Sequence, residues 1–440
     1  MTANAGHRDV IGMYRLSLSQ ERPANVQDRR YHPQDAPRTS PELELMLVCA
    51  RWPQVEQQDT ARIRTLSAGA IDWPRFLVLV QHHRLVPLVS LHLHAAVQDS
   101  ESPALQDALA QLRQLSEWSA HQSLRCLAEL RRVTKALQSH TIPVRVLKGL
   151  PLAQSTFGDL SLRAPGDLDL LIDESRILKA DSLLRGFGYR GLFQIDHFSP
   201  KRLAFYRSHW KDLAYQNPDT GFEVDLHWRC FRNSQMPGAG LCSTGAHETV
   251  SFGGFQVDTL PHLQGLLYLC VHGTLDGWLY FKSLVDVAAQ VSTMGQAELD
   301  ALATLAGTYA ILPELTATLL LVRRYLHLDH WSALLLPEGD RTVQHILRYS
   351  NQTLAQSSYL AGREAIPIAT TLAFEFGLRR NLRYRGELLL RILYRARMWE
   401  TIPLPDYLFG IYPLLSPFEW IVYRLRHAPA KPGPNVTLAI

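Results

Sequence analysis

The sequence predicts an α+β fold, in which a module with a mixed β-sheet lies between two mostly helical segments. Three observations lead to this prediction. Apolar residues recur at helical spacing over residues 41–140, short β-branched runs bounded by turn residues follow over 141–259, and helical spacing returns over 260–427. The chain has 440 residues, 46% of them hydrophobic, so it is long and apolar enough to bury a large core.

The amino-terminal residues 1–40 are polar and rich in Arg, Gln and Pro, and we expect them to form a disordered leader; we expect residues 428–440 to form a loose tail. The leader lacks the apolar stretch of a secretory signal, and no run of about 18 uncharged apolar residues predicts a membrane span. The modest net charge of +4 does not by itself predict a nucleic-acid partner.

Five cysteines are present, and they show no paired spacing typical of a metal site. This pattern predicts reduced thiols and a cytoplasmic protein. A bridge or a metal site between Cys230 and Cys242 is the less favoured alternative, since one such pair lacks the second half of a zinc signature.

In the first helical segment, Pro74 and Pro87 divide residues 71–89 into short helices. A long helix is predicted across 104–139, where leucines and a valine follow helical spacing: Leu105, Leu109, Leu112, Leu124, Leu127, Leu130, Val133 and Leu137.

The module begins with a predicted strand at 142–147, a turn at Lys148 and Gly149, and a short helix over 150–157 with Pro151 in its first turn. A second strand is predicted at 167–172 and a helix at 175–186. Two further runs, 209–216 and 222–228, flank the turn sequence Asn-Pro-Asp-Thr-Gly and predict a β-hairpin.

Acidic residues occupy one face of the second strand. Alternate side chains of a strand share a face, so Asp167 and Asp169 point the same way while Leu168, Leu170 and Ile172 point into a core. At about 6 Å and an effective dielectric near 20, two such carboxylates repel by roughly 3 kcal/mol. We therefore expect a cation between them.

The second strand of the hairpin repeats this alternation and places Glu223, Asp225 and His227 on one face. If it lies beside the 167–172 strand, Asp225 supplies a third carboxylate. Three carboxylates predict a site for Mg²⁺ or Mn²⁺, which neutralises charge on a transferring phosphoryl group.

Several other residues are candidates for binding at this site. Lys148 and Gly149 lie where a strand meets a helix, an arrangement that favours phosphate, and Arg163 can offer a bidentate contact. His227 is a further candidate, for which a hydrogen bond within the sheet is an equal alternative. His272, Lys282 and Asp286 are candidates for which a hydrogen bond between core helices is the favoured alternative.

A basic and aromatic stretch lies near the carboxyl terminus. Seven arginines fall between Arg379 and Arg397, and the apolar run 402–426 follows. The stretch 379–426 is therefore a candidate for peripheral contact with a membrane or polyanion, although solvated helix faces and docking on the core explain such runs more often.

Sequence motifs from this module resemble those of the uncharacterised bacterial nucleotidyltransferase family, part of the polymerase-β-like superfamily. The resemblance is carried by Val146–Gly149, Arg163–Ile172, Gly186–Tyr189 and Val224–Trp228, with support from Ile71–Trp73, His83–Pro87, Leu269–His272 and Leu284–Asp286, and it spans about residues 41–330. One departure is that Leu150 follows Gly149, where the wider superfamily has a second small residue.

The resemblance implies transfer of a nucleotidyl group from ATP or another NTP, with Asp167 and Asp169 as metal ligands. It implies that Asp225 is the third carboxylate and aids deprotonation of the acceptor. By analogy, the acceptor is a hydroxyl or similar group on a small molecule, peptide or glycan in a biosynthetic pathway. The alternatives are a toxin-like enzyme that modifies tRNA or protein, and a catalytically silent binding subunit.

Overall fold

The structure, a computed structural model, describes residues 40–52, 57–243, 245–328, 336–337, 339–360 and 367–418. The predicted leader, apart from residue 40, and the predicted tail lie outside these residues. Within them, no helix is both long and apolar enough to cross a membrane.

Helices form the first layer: α1 (Pro41–Cys49), α2 (Gln57–Ser67), α3 (Trp73–His82), α4 (Val86–Val97) and α5 (Pro103–Ser139). Prolines stand in the first turn of α1, α3, α4 and α5, where the missing N–H costs nothing. The side chains of Ser40 and Asp72 cap α1 and α3 by accepting backbone N–H groups. The long helix predicted at 104–139 is confirmed as α5.

Among its described residues, the central module contains three α-helices and seven strands: β1 (Val144–Val146), α6 (Leu150–Phe157), β2 (Leu168–Ile172), α7 (Ile177–Gly186), β3 (Arg190–Gly191), α8 (Pro200–His209), β4 (Asp212–Gln216), β5 (Glu223–His227), β6 (Glu248–Ser251) and β7 (Gln256–Thr259). The strands form one sheet in the order β3-β4-β5-β2-β1-β7-β6. Because β2 is parallel to β5 but antiparallel to β1, the sheet is mixed, and the α+β prediction is confirmed.

Sequence patterns did not predict α8, β3 or the β6–β7 hairpin. In α8 only Tyr206 is buried, so no apolar stripe marks the helix. Strand β6 is mostly exposed, and β3 has only two residues, so alternation of buried and exposed side chains is weak or absent.

One face of the sheet is apolar and packs on helices. Side chains that alternate along β1, β2, β4 and β5 share a core with the second half of α5 and with α7; they are Val144, Val146, Leu168, Leu170, Ile172, Leu213, Tyr215, Val224 and Leu226. The residues between them, including Asp169 and Asp225, therefore face the opposite side.

The last segment is helical: α9 (His262–Leu275), α10 (Phe281–Val291), α11 (Gln296–Thr308), α12 (Leu312–Leu326), α13 (Arg341–Leu360), α14 (Ile368–Leu378), α15 (Leu382–Leu393) and α16 (Ala396–Thr401). Part of its basic charge is engaged within the protein. Arg379 pairs with the buried Glu314, and Arg391 pairs with Glu375 at 3.2 Å.

Aromatic residues near the end of the described chain dock on the module. Trp399, Phe409 and Tyr412 are buried, and the rings of Phe205 and Phe409 lie 5.2 Å apart between centroids. Phe409 and Tyr412 thus pack on the core as expected, whereas Tyr407, Leu414 and Phe418 are exposed. Residues 419–426 lie outside the described part of the chain.

The cysteines correct the expectation of five reduced thiols. Cys230 and Cys242 form a disulfide, with their Cα atoms 5.7 Å apart, whereas Cys49, Cys126 and Cys270 are free and buried. The chain after β5 folds back through a short 3-10 turn at Ala239–Cys242, and this return brings the two cysteines together.

Candidate active site

Neighbouring strands bring the predicted carboxylates together. The parallel pairing of β2 and β5 sets Asp169 opposite Asp225, and His227 lies two residues further along β5. One ligand atom from each of Asp169, Asp225 and His227 lies within 4.8 Å of the others. Asp169 and His227 are buried, and Asp225 is 9% exposed.

The turn after β1 delivers a cation to this cluster. The Leu147 N–H donates to the Asp169 carbonyl at 3.0 Å, which extends the β1–β2 ladder to the turn. Lys148 Nζ then lies 2.6 Å from Asp169 Oδ2 and 3.5 Å from Asp167 Oδ1. Asp167 thus stands at the margin of the cluster, where it shares the lysine with Asp169.

The turn itself depends on glycine. Gly149 has φ of 85° and ψ of −122°, a conformation that L side chains rarely adopt. The next residue, Leu150, is buried in the core and begins α6. Leu150 therefore serves packing at the end of the turn.

Burial and charge separate the carboxylates into two kinds. Burial opposes ionisation of Asp169, but Lys148 and His227 outweigh it and hold the pKa of Asp169 well below its usual range. Burial raises the pKa of Asp225 to about 8, and the charges of Asp212, Asp169 and Asp167 add to this. Asp169 thus forms an ion pair with Lys148, whereas Asp225 forms none among the described residues.

A fourth carboxylate, Asp212, was missed by sequence reasoning. It begins β4 opposite His227, its Oδ2 lies 3.9 Å from His227 Nδ1, and Lys211 Nζ lies 2.8 Å from the same oxygen. A signal was present in the predicted hairpin. Counting back from its turn pairs residue 216 with 223 and hence 212 with 227.

Two predicted binding residues, Arg163 and Asp286, contact each other. Arg163 Nε donates to Asp286 Oδ1 at 2.9 Å and Nη2 donates to Oδ2 at 2.9 Å, in a bidentate and buried pair. Arg163 Nη1 also donates to the Gly149 carbonyl at 3.3 Å. In this structure the pair ties the Lys148–Gly149 turn to α10.

Lys282 and His272 approach the site from α10 and α9. Lys282 Nζ donates to the Ala164 carbonyl at 3.2 Å, in the loop that leads to Asp167. His272 Nδ1 lies 3.1 Å from Asp276 Oδ2, one turn further along its own helix. Neither side chain contacts the carboxylates of Asp169 or Asp225 in the described part of the chain.

Tyr268, one turn before His272 on α9, was not singled out from the sequence. Burial raises the pKa of its hydroxyl well above the usual value, and the charge of Asp169 adds to this. The hydroxyl is buried and has no hydrogen-bond partner among the described residues. A single tyrosine within the apolar sequence of α9 shows no pattern that would have identified it as a site residue.

The donor set of this site suits a divalent cation. Carboxylate oxygens are hard ligands typical of Mg²⁺ and Mn²⁺, and the buried imidazole can bind or orient them. The charge of Asp225, buried and without an ion-pair partner among the described residues, would be balanced by such a cation. The arrangement can thus hold a metal beside a lysine and a glycine turn suited to phosphate.

Comparison with known proteins agrees with this chemistry. The sequence profile of the family described as uncharacterised nucleotidyltransferase matches residues 69–327, which is more than half of the chain. The matched region includes the sheet, the carboxylate cluster and helices α9 to α12 through residue 326. No curated protein and no solved structure matches the chain.

Proposed function

We propose that this chain, which belongs to the uncharacterised nucleotidyltransferase family, transfers a nucleotidyl group from an NTP to a hydroxyl or similar group of a small molecule, peptide or glycan. The observation that carries the proposal is the pairing of β2 with β5, which sets Asp169 opposite Asp225 beside Lys148. Carboxylates and a cation at a glycine turn are the groups that phosphoryl chemistry requires.

In the proposed reaction, an acceptor oxygen attacks the α-phosphorus of the NTP. A bond forms between these atoms, the bond from the α-phosphorus to the bridging oxygen of the β-phosphate breaks, and pyrophosphate leaves. The carboxylate of Asp225, which lies opposite Asp169 in the cluster, accepts the acceptor's proton.

The remaining residues bind and orient. Asp169 and Asp225, with Asp167 at the margin, would hold Mg²⁺ or Mn²⁺, and a metal bound there supplies charge neutralisation at the transferring phosphoryl group. Lys148 contacts phosphate oxygens as a point charge. His227 fixes Asp169 through its Nε2, 3.2 Å from Asp169 Oδ1.

The test compares NTPs labelled at the α-phosphate and at the γ-phosphate, incubated with Mn²⁺ and fractionated small-molecule, peptide and glycan extracts. The proposal expects the α-label in an acceptor product, the γ-label in released pyrophosphate, and loss of both with Asp225→Asn. Asp219→Asn, which changes an exposed carboxylate in the turn of the same hairpin, is the matched control and keeps full activity. Transfer of the γ-label to an acceptor would overturn the proposal, because that is kinase chemistry.

A second candidate function is a catalytically silent nucleotide-binding subunit. The favouring observation is that the Lys148 ammonium already balances charge at Asp169 and Asp167, so a metal is not needed to make these two carboxylates stable. If the chain is such a subunit, NTP should bind with the same affinity with and without Mn²⁺. No extract should then lead to release of pyrophosphate.

A further inference from the structure

A cleft lies next to the carboxylate cluster and was not expected from the sequence. It has a volume of about 360 Å³, is open to solvent on one side, and is lined by residues of α3, α4, α5 and the loop before β2. Its walls include Val86, Leu115, Trp118 and Phe222. This volume is at the lower end of the range of roughly 300–1,000 Å³ typical of small-molecule pockets.

The cleft and the carboxylates share two strand beginnings. Gly166 lines the cleft, and the next residue, Asp167, contacts Lys148. Phe222 also lines the cleft, and the next residue, Glu223, begins β5 two positions before Asp225. The cleft and the carboxylate cluster therefore adjoin at the edge of the sheet where β2 and β5 begin, with the cleft on the α5 side.

Aromatic and polar groups line the cleft together. Trp118 is 62% exposed, and Ser119 and Gln122 of the same helix also line the cleft. Ser119 is 4% exposed, and its Oγ has no hydrogen-bond partner among the described residues. An exposed ring beside a buried, unpartnered hydroxyl suits a flat ligand with apolar faces and a polar edge.

A guanidinium also lines the cleft, near the start of β5. Arg84 lines the cleft, lies 4.8 Å from the Tyr280 ring centroid, and forms no ion pair with a carboxylate in the described chain. Burial raises the pKa of Glu223, the charge of Asp167 adds to this, and the charge of Arg84 opposes it. Arg84 is thus placed to contact phosphate at the point where cleft and cluster meet.

We infer that this cleft binds the nucleoside part of the NTP, with the base against Trp118, the polar edge at Ser119 and Gln122, and the phosphates passing Arg84 toward Lys148. The inference rests on the proposed nucleotidyl transfer and adds the place of nucleoside recognition. An aromatic ring with hydrogen-bonding side chains beside it suits the base of a nucleotide, and a guanidinium in the same lining suits its phosphates.

The test measures Kd by calorimetry for each common ribonucleoside triphosphate and for inorganic tripolyphosphate, with Mn²⁺, on the full chain. We expect the wild type to bind at least one NTP more tightly than tripolyphosphate. Trp118→Ala should weaken binding of that NTP by roughly five- to a hundredfold, which is the range for one base stacked on an aromatic side chain. It should leave the Kd for tripolyphosphate unchanged. Arg84→Gln should weaken both ligands.

The matched control is Leu124→Ala, which changes another exposed side chain of α5, 61% exposed and outside the cleft, and should leave both affinities unchanged. An NTP affinity that survives Trp118→Ala, or a wild type that binds NTP no better than tripolyphosphate, overturns the inference alone. A wild type that binds neither ligand overturns the proposed function and the inference together.

Discussion

Replacing Asp225 with asparagine should stabilise the metal-free protein at neutral and alkaline pH. Its carboxyl has a pKa of about 8 in the folded chain, against 3.8 for an ordinary aspartate, because it is buried beside other carboxylates. The folded state therefore holds this proton more tightly than the unfolded state. The contribution of this group to the unfolding free energy is fully present at acid pH. It is lost as the pH rises from the unfolded-state pKa through the folded-state pKa.

The size of this loss follows from the pKa difference. The shift runs from 3.8 to about 8, and about three units of it lie above pH 5. At 1.36 kcal/mol per pKa unit, these three units remove at most about 4 kcal/mol of unfolding free energy between about pH 5 and about pH 9. Asparagine has nearly the same shape and does not ionise, so the Asp225→Asn variant should lack this part of the pH dependence.

Urea denaturation in a metal chelator, repeated across this pH range, measures the difference between the two proteins. As the pH rises, we expect the unfolding free energy of the wild type to fall by up to about 4 kcal/mol relative to that of Asp225→Asn. The unfolding free energy of Asp219→Asn should follow that of the wild type. Saturating Mn²⁺ should remove most of the wild-type loss, because it balances the Asp225 charge. Parallel curves for wild type and Asp225→Asn would refute the reasoning.

Three further predictions use the same denaturation assay. Lys148→Met should lower the unfolding free energy of the metal-free protein by about 3–5 kcal/mol, because it leaves Asp169 buried without its ammonium, and Mn²⁺ should restore part of the loss. Asp286→Asn should cost about 3–5 kcal/mol by leaving Arg163 buried without its carboxylate, and Mn²⁺ should restore none of it. Gly149→Ala should cost about 1–3 kcal/mol, since φ of 85° strains any side chain there, and should also weaken NTP binding.

Matched controls separate these effects from general damage. Lys135→Met removes an exposed lysine of α5, Asp300→Asn an exposed carboxylate of α11, and Gly307→Ala changes a helical glycine with open space around its Cβ position. Each should leave stability within about 0.5 kcal/mol or, for Gly307→Ala, raise it by up to about 1 kcal/mol. Equal losses in a variant and its control would contradict the corresponding prediction.

Much of the module was predictable because local patterns determine it. The two-residue period of a strand placed Asp169 on the face away from the core residues Leu168 and Leu170. The same period placed Asp225 on the face away from Val224 and Leu226. The turn sequence between residues 216 and 222 set the β4–β5 hairpin. These signals depend only on neighbours in the chain.

The contacts that sequence patterns could not predict join distant parts of the chain. Arg163 and Asp286 are 123 residues apart, and Arg163 was expected to contact phosphate, yet the two side chains pair with each other within the protein. The cleft needs Arg84 from the α3–α4 turn, Trp118 from α5 and Gly166 from the loop before β2 to meet. Helical spacing identifies such elements but does not specify how they pack.

The most direct test of the central claim is equilibrium binding of Mn²⁺ in the presence and absence of NTP, on wild type and on Asp225→Asn. The account predicts that NTP strengthens Mn²⁺ binding to the wild type, that Mn²⁺ strengthens NTP binding by the same factor, and that Asp225→Asn loses both effects. Because that variant should be more stable without metal, unfolding cannot explain the loss. Mn²⁺ binding that is equal in both proteins, or indifferent to NTP, would contradict a metal-dependent nucleotide site at Asp169 and Asp225.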